Sequence, residues 1–469
     1  MDKNNGAIYD ARKLGKPKMM LLGLQHMFAM FGATILVPIL TGLDISTTLL
    51  MAGLGTLLFH CITKFKVPAF LGSSFAFLGG YAAIKALSPD DPNSMLPYAC
   101  LGVACAGLIY FILAAIIKAV GIEKVMRFFP PVVTGPIIIA IGLGLAPSAV
   151  SNCTTNWFLA VVALAVIVVF NIWGKGMAKI IPIILGLLIS YGTGLVLYFI
   201  SQANPDLIQN VPWLFSGGAD ANGVYQPIFD FTSLNTICDN ISKGHIFGSE
   251  GLIGIPIHWD KTVFGGIDYS NGALIASSII AIVPIAFATM MEHIGDICAI
   301  SSTTGNNYIK DPGLHRTLVG DGLATTLASL FGGPANTTYG ENTGVLALTR
   351  VYDPRVIRIA AYFAVAVSFF PIVSVIIGSI PSCIIGGISF VLYGMISAIG
   401  IRNVVENKVD FTKSRNLIVA AVILVCALGL SSNTVSFAIG SAEITLSPLA
   451  VASIAGIVLN AVFPGKDYK

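Results

Sequence analysis

Charge is what this sequence has least of. Lys, Arg, Asp and Glu together make up 10% of 469 residues, against about a quarter in ordinary soluble domains. Hydrophobic residues reach 55% and mean hydropathy is +0.84, so a water-soluble globular fold is excluded and a multi-spanning membrane protein is expected. The net charge is only +3; no basic surplus marks a nucleic-acid partner. Eight cysteines, at 61, 100, 105, 153, 238, 298, 383 and 426, form no CxxC pair and no Cys/His spacing. They read as small packing residues, with only Cys153 and Cys238 able to face the outside together. Metal-ligand spacing, a phosphate loop and a nucleophile elbow are all missing. Neither an enzyme nor a metal or cofactor site is therefore expected.

What is there is a series of apolar runs. Lys3, Arg12, Lys13, Lys16 and Lys18 precede an uncharged run from Met19 to Leu40, too long for a signal peptide and suited to a first span with a cytoplasmic N-terminus. Further spans are expected at about 45–63, 67–84, 95–117, 131–147, 157–173 and 180–200. After a polar interval they resume at about 273–293, 317–331, 334–349, 356–379, 383–400, 416–430 and 446–463. Fourteen spans, threaded alternately, put 23 of the 26 basic residues inside and leave only Lys85, Lys243 and Lys261 outside; one span more or fewer would scramble that asymmetry. Trp157 and Trp173 bracket the sixth span as interfacial anchors.

The chain thus divides into a cytoplasmic segment 1–18, a seven-span repeat 19–200, an external loop 201–271, a second seven-span repeat 272–463 and a cytoplasmic tail 464–469. The loop carries seven acids against two lysines and reads as a connector. Because each half has an odd number of spans, the second copy must be inverted. Pro68 aligns with Pro334 and Phe75 with Glu341 at an offset of 266, Gln25 with Glu292 at 267, and Pro130 with Pro381 at 251.

One stretch breaks the hydrophobicity. Pro334 to Arg350 reads PANTTYGENTGVLALTR, polar until Val345, which predicts an extended segment feeding the N-terminus of a half-helix. Broken backbone at membrane depth survives only where protein encloses it. Its orphan amides, dipole and the Glu341 carboxylate then form a binding site for a small polar molecule. Pro68 to Phe75 is its counterpart in the third span, so the site is expected between the two near the midplane. Few other ionisable groups lie within spans, chiefly His26, Glu292, His293, Asp296 and Asp321. Glu292 and Asp296 stand one turn apart and raise each other's proton affinity, so that one would carry a proton at neutral pH; the alternative is that Asp296 has already reached the cytoplasmic helix end. Glu341 also fits a plain helix cap, Phe75 a packing residue, and Gln25 and His26 interhelical contacts. Asp321, between two glycines, has no evident partner.

The segments LQHMFAMFGATILVPIL, VPAFLGSSFAF, MEHIGD, KDPGLHR and NTTYGENTGVLALTR resemble the nucleobase/ascorbate transporter family, its bacterial uracil permeases in particular, from about residue 19 to 463. The resemblance implies an all-α integral membrane protein of the plasma (bacterial inner) membrane, with fourteen transmembrane segments as a 7+7 inverted repeat. It further implies core and gate domains, short extended segments in the third and tenth spans, and commonly a homodimer. It implies import of uracil with a proton by alternating access. By the family's motifs Glu292 and Glu341 would be the substrate-binding carboxylates, with the amides around Phe75 and Gly340 as carbonyl donors; Gln25, His26, Tyr339 and Asn342 would support them. The chain departs from the branch at Asp296, where histidine is expected. A xanthine, purine or other nucleobase symporter is the alternative, or an anion transporter or channel of the same architecture, against which two cavity-facing acids argue.

Overall fold

The computed structural model describes residues 7–127, 130–430, 435–439 and 442–465. Twelve of the fourteen intervals expected to span are mainly helical, and the other two, 67–84 and 334–349, each join a short strand to a short helix. In the first half these are α1 (Lys16–Thr41), α2 (Ile45–Ile62), a broken element made of β1 (Leu71–Ser73) and α3 (Leu78–Lys85), α4 (Leu96–Val120), α5 (Pro131–Cys153), α6 (Trp157–Trp173) and α7 (Pro182–Ala203). A hairpin of β2 (Ser216–Ala219) and β3 (Tyr225–Pro227) follows. The second half holds α8 (Gly272–Ile282), α9 (Ala286–Thr304), α10 (Leu314–Leu330), a second broken element of β4 (Asn336–Thr338) and α11 (Gly340–Thr349), α12 (Pro354–Ser368), α13 (Pro371–Gly378), α14 (Ser382–Glu406) and α15 (Ser414–Gly429). A hairpin of β5 (Val435–Ile439) and β6 (Ala442–Leu446) leads into α16 (Pro448–Val462).

Local chemistry sets the helix ends. α2, α6, α8 and α16 start on side-chain caps: Asp44 accepts from Thr47 N–H at 2.7 Å, Asn156 from Leu159 at 3.1 Å, Asn271 from Leu274 at 3.1 Å and Ser447 from Ala450 at 3.3 Å. α1, α4 and α7 start on prolines instead. At 1.5 Å per residue, seven helical stretches among the described residues are long and apolar enough to cross a bilayer.

Two intervals differ in detail from expectation. The run 356–379 is not one helix: Phe370 is extended before Pro371, which starts α13. The run 273–293 passes through a 3₁₀ turn at Val283–Ile285, around Pro284, and continues to Thr304. Asp296 therefore lies two turns inside α9 and not at its end.

The chain forms two compact units, residues 1–144, 257–366 and 396–469 in one and 145–256 with 367–395 in the other. In the first, α4 and α10 approach so closely that a Cβ on Gly107 would sit 2.7 Å from the Gly322 carbonyl oxygen, the small-residue packing of lipid-embedded helices. The N-terminal segment is docked in this unit. Ile8 bonds to Arg350 and Tyr352 backbone at 2.8 Å each, and Tyr9 Oη donates to Thr304 O at 2.7 Å. The buried Asp353 carboxylate accepts from Ala11 N–H at 2.7 Å and Arg355 Nη1 at 3.2 Å.

In the second unit, the first part of the interval 201–271, expected as a connector, is folded. Asn156 Nδ2 donates to Leu214 O and Ser216 O at 3.3 and 2.8 Å. Tyr191 and Tyr198 of α7 pack edge-on to Phe229, which stacks on Phe231 with centroids 5.1 Å apart.

Candidate functional site

The two polar interruptions meet. β1 and β4 pair antiparallel, Leu71 with Thr338, Gly72 with Thr337 and Ser73 with Asn336. Hydrogen bonds extend the ladder at both ends, from Ser74 N–H to Ala335 O at 2.8 Å and from Tyr339 N–H to Phe70 O at 3.0 Å. These two bonds interconvert when positions 70 and 74 are advanced by 265, to 335 and 339. This offset is one less than the 266 at which the prolines align, so the local two-fold relation of the two bonds matches Phe75 with Gly340 and not with Glu341.

Side chains satisfy the rest of the broken backbone, as lipid depth demands. Thr56 Oγ1 of α2 accepts from Leu71 N–H at 2.9 Å and donates to Leu71 O at 3.2 Å. His60 Nε2 lies 2.9 Å from Ala69 O. Asn336 Nδ2 donates to Met51 O at 2.9 Å, and Thr325 Oγ1 of α10 donates to Asn336 O at 2.5 Å. Tyr339 Oη donates to Ser73 O at 2.8 Å, while Ser73 Oγ donates to Thr34 O of α1 at 3.1 Å.

The chain leaves the ladder at opposite ends into α3 and α11. Neither helix start has a side-chain cap, with Phe77 and Tyr339 at the N-cap positions, in contrast to the capped or proline-led helices. Two half-helix starts with positive dipole ends thus flank the ladder. Phe75 is nearly buried between β1 and α3. Gly340 opens α11 and has room around it: a Cβ there would find only Asp296 Oδ1, at 3.7 Å. Glu341 is the second residue of α11; its side chain lies outside the described residues.

α9 supplies the acidic face. Glu292 and Asp296 are both partly exposed, one turn apart. Thr338 Oγ1 donates to Asp296 Oδ2 at 2.8 Å, and His293 Nδ1 lies 3.3 Å from the same hydroxyl. That nitrogen also stands 3.5 Å from Asp321 Oδ2, and both side chains are fully buried. Asp321, without an evident partner in the sequence, therefore faces His293. Of the supporting residues, His26 and Asn342 are buried together, Asn342 Nδ2 lying 3.3 Å from His26 Nδ1 and 3.2 Å from His26 O. Gln25 is buried beside His26 in sequence. Sequence reasoning missed Thr56, Thr325 and Thr338; threonines inside apolar runs were the available signal. Among the described residues, no cluster of three His, Cys, Asp or Glu side chains could hold a metal.

Residues 17–436 match the model of a permease family, that of the xanthine/uracil permeases. A uracil permease of Bacillus caldolyticus is 38% identical over 456 residues, 95% of this chain and 92% of its own length. The uracil permease of Bacillus subtilis is 37% identical over 454 residues, 94% and 91% of the two chains. The uracil permease of Escherichia coli is 33% identical over 453 residues, 94% and 90%. Among solved structures, the transmembrane domain of the cyanobacterial bicarbonate transporter BicA matches with a TM-score of 0.58 and 14% identity, covering 96% of this chain and 99% of its own. SLC26A9 matches with a TM-score of 0.53 and 12% identity over 97% and 66%. At such identities the likeness is one of fold alone. The chain belongs to the nucleobase/ascorbate transporter family of permeases, and it is a transporter and not an enzyme.

Proposed function

We propose that the protein imports uracil together with a proton by alternating access. One observation carries the reading: the paired breaks at β1 and β4 hold two uncapped half-helix starts beside the acidic face of α9. Uracil presents N–H donors next to carbonyl acceptors on a flat ring. Carboxylates suit the first, exposed backbone amides the second, and an aromatic face the ring. Glu292 and Glu341 take the N–H edge, the amides around Phe75 and Gly340 take the carbonyls, and Phe75 stacks. Gln25, His26, Tyr339 and Asn342 keep the helix breaks in shape. The names of the relatives support uracil as the base.

Coupling follows from energetics. A neutral base gains nothing from the membrane potential, whereas each co-transported proton gains about 2.3 kcal/mol per 100 mV. Glu292 carries that proton, and Asp296, an anion one turn away, holds it there more tightly. In the membrane, fourteen crossings form a 7+7 inverted repeat with a core and a gate domain. Both termini are cytoplasmic, the cell membrane is the location, and the protomers pair as homodimers.

Labelled uracil uptake into proteoliposomes, with and without an inward proton gradient and with unlabelled competitors, tests this. Gradient-stimulated uptake competed by uracil and only weakly by xanthine, cytosine or ascorbate is expected, because hydrogen-bonding sites reject analogues that leave groups unpaired. Equal competition by xanthine would move the chain to the purine branch; uptake indifferent to the gradient would remove proton coupling.

A further inference from the structure

The segment before α1 reaches both helices that carry the site. Ile8 N–H donates to the carbonyl of Arg350, the C-terminal cap of α11, and Ile8 O accepts from Tyr352 N–H, each at 2.8 Å. The next residue turns to the other helix: Tyr9 Oη donates at 2.7 Å to the carbonyl of Thr304, the last residue of α9. A helix leaves its last carbonyls without intrahelical donors; here a hydroxyl from 295 residues earlier in the chain supplies one. α9 and α11 are thus joined at two levels, by Thr338 and Asp296 beside the strand ladder and by residues 8 and 9 at their C-terminal ends.

The two levels make α9 a lever. Thr304 lies eight residues beyond Asp296, and Glu292 four residues before it, about 12 Å and 6 Å along the axis. In a stiff helix fastened at Asp296, a displacement of Thr304 arrives at Glu292 at about half its size. Binding groups need to be held within about 0.5 Å, so about 1 Å of play at Thr304 uses the whole tolerance at Glu292. The Tyr9 hydroxyl carries little of the docking itself. Its ring is half exposed and edge-on to Tyr352, with centroids 5.4 Å apart. Ala11, by contrast, is fully buried against Val351 and Val356, and its N–H bonds to Asp353 at 2.7 Å.

We propose that Tyr9 is a positioning residue for transport: on the reading that α9 and α11 hold the base, its bond to Thr304 fixes Glu292 against Gly340 at the start of α11.

Tyr9→Phe keeps the ring and the backbone bonds and removes only the hydroxyl. Calorimetry with uracil, thermal melting and the distance between nitroxides at the exposed Ser302 and Leu348, both proteins being full-length in a cysteine-free background, test the role. Uracil affinity should fall roughly two- to tenfold, the range that one neutral hydrogen bond allows. The melting temperature should not change, and the distribution of label distances should broaden. Equal affinity of the two proteins for uracil, or an unchanged distribution, overturns the proposal. Weaker affinity with a lower melting temperature would make Tyr9 a packing residue and overturn it too. Wild type that binds no uracil would overturn the uracil reading alone; the label distances then still decide whether Tyr9 holds α9 against α11, a broadened distribution supporting it.

Discussion

Thr338 Oγ1 and Asp296 Oδ2, 2.8 Å apart, fasten strand β4 to helix α9. The hydroxyl joins the broken backbone of the site to the acidic helix, with His293 Nδ1 3.3 Å away on its other side. Loss of a hydrogen bond to a charged group is worth roughly 1.5–3 kcal/mol. Thr338→Val should therefore lower uracil uptake about ten- to a hundredfold and move its pH profile, because Asp296 is released next to Glu292. Thr338→Ser should restore both. Initial rates across external pH for the three proteins provide the check; a lower rate with an unmoved profile would leave Thr338 a packing residue.

The buried His293 and Asp321 pair predicts an asymmetry. Removing one partner of a buried pair costs roughly 3–5 kcal/mol, whereas replacing both by apolar groups is often close to neutral. His293→Leu leaves a buried acid facing hydrocarbon and should melt well below wild type. Asp321→Leu should be milder, and the double variant should recover part of the loss. Melting of the detergent-purified proteins checks it, and simple additivity of the two losses would mean that the 3.5 Å approach carries no interaction.

Two glycines of the ladder region separate folding from binding. A Cβ on Gly72 would lie 2.6 Å from the Tyr339 ring and 2.7 Å from Thr34 Oγ1, whereas one on Gly340 meets nothing closer than 3.7 Å. Gly72→Ala should thus reduce the yield of folded protein. Gly340→Ala should fold normally, and helix propensity even favours it by up to about 1 kcal/mol, yet its methyl occupies the place assigned to substrate. Monodisperse protein with uracil affinity at least tenfold weaker, measured by calorimetry, is the expected result; unchanged affinity would place the substrate elsewhere.

The docked N-terminal segment has a defined pH range. The Arg12 guanidinium, 2.8–2.9 Å away, holds the Asp10 carboxyl well below its ordinary value of 3.8, and Arg355 Nη1 adds a contact at 2.9 Å. A depressed carboxylate contributes stability that is complete above its unfolded value and is lost as pH falls through the folded one. A nitroxide at the exposed Lys13 should show the same restricted spectrum from pH 8 to 5 and loosen only in stronger acid. Asp353→Ala, which strips the acceptor of Ala11 and Arg355, should mobilise it at pH 7.

Much of this arrangement could be read from residues alone, because lipid imposes a blunt code. Length and hydropathy marked the long apolar helices, and the run of Asn, Thr and Tyr at 336–339 marked the break. What escaped depends on contacts distant in sequence. Nothing local pairs Asp321 with His293, 28 residues earlier, or tells that Thr338 reaches Asp296. The break at Phe370 has a local cause in Pro371, but an apolar flank conceals it. The hairpin β5 and β6 lies in a stretch whose composition resembles its flanking spans. The one-residue difference in repeat offset is a matter of strand register, which prolines outside the strands do not report.

The ladder between β1 and β4 also orders events in time. Thr338 follows Leu71 by 267 residues; at roughly 5–20 residues per second, tens of seconds of synthesis separate the two. During that interval the first broken segment must sit in the membrane without its strand partner, where bare amides are costly. Thr56 Oγ1, bonded to both the N–H and the carbonyl of Leu71, and His60, reaching Ala69 O, are on the neighbouring helix and already made. They make α2 a chaperone built into the chain, holding the first strand in place until its partner is translated.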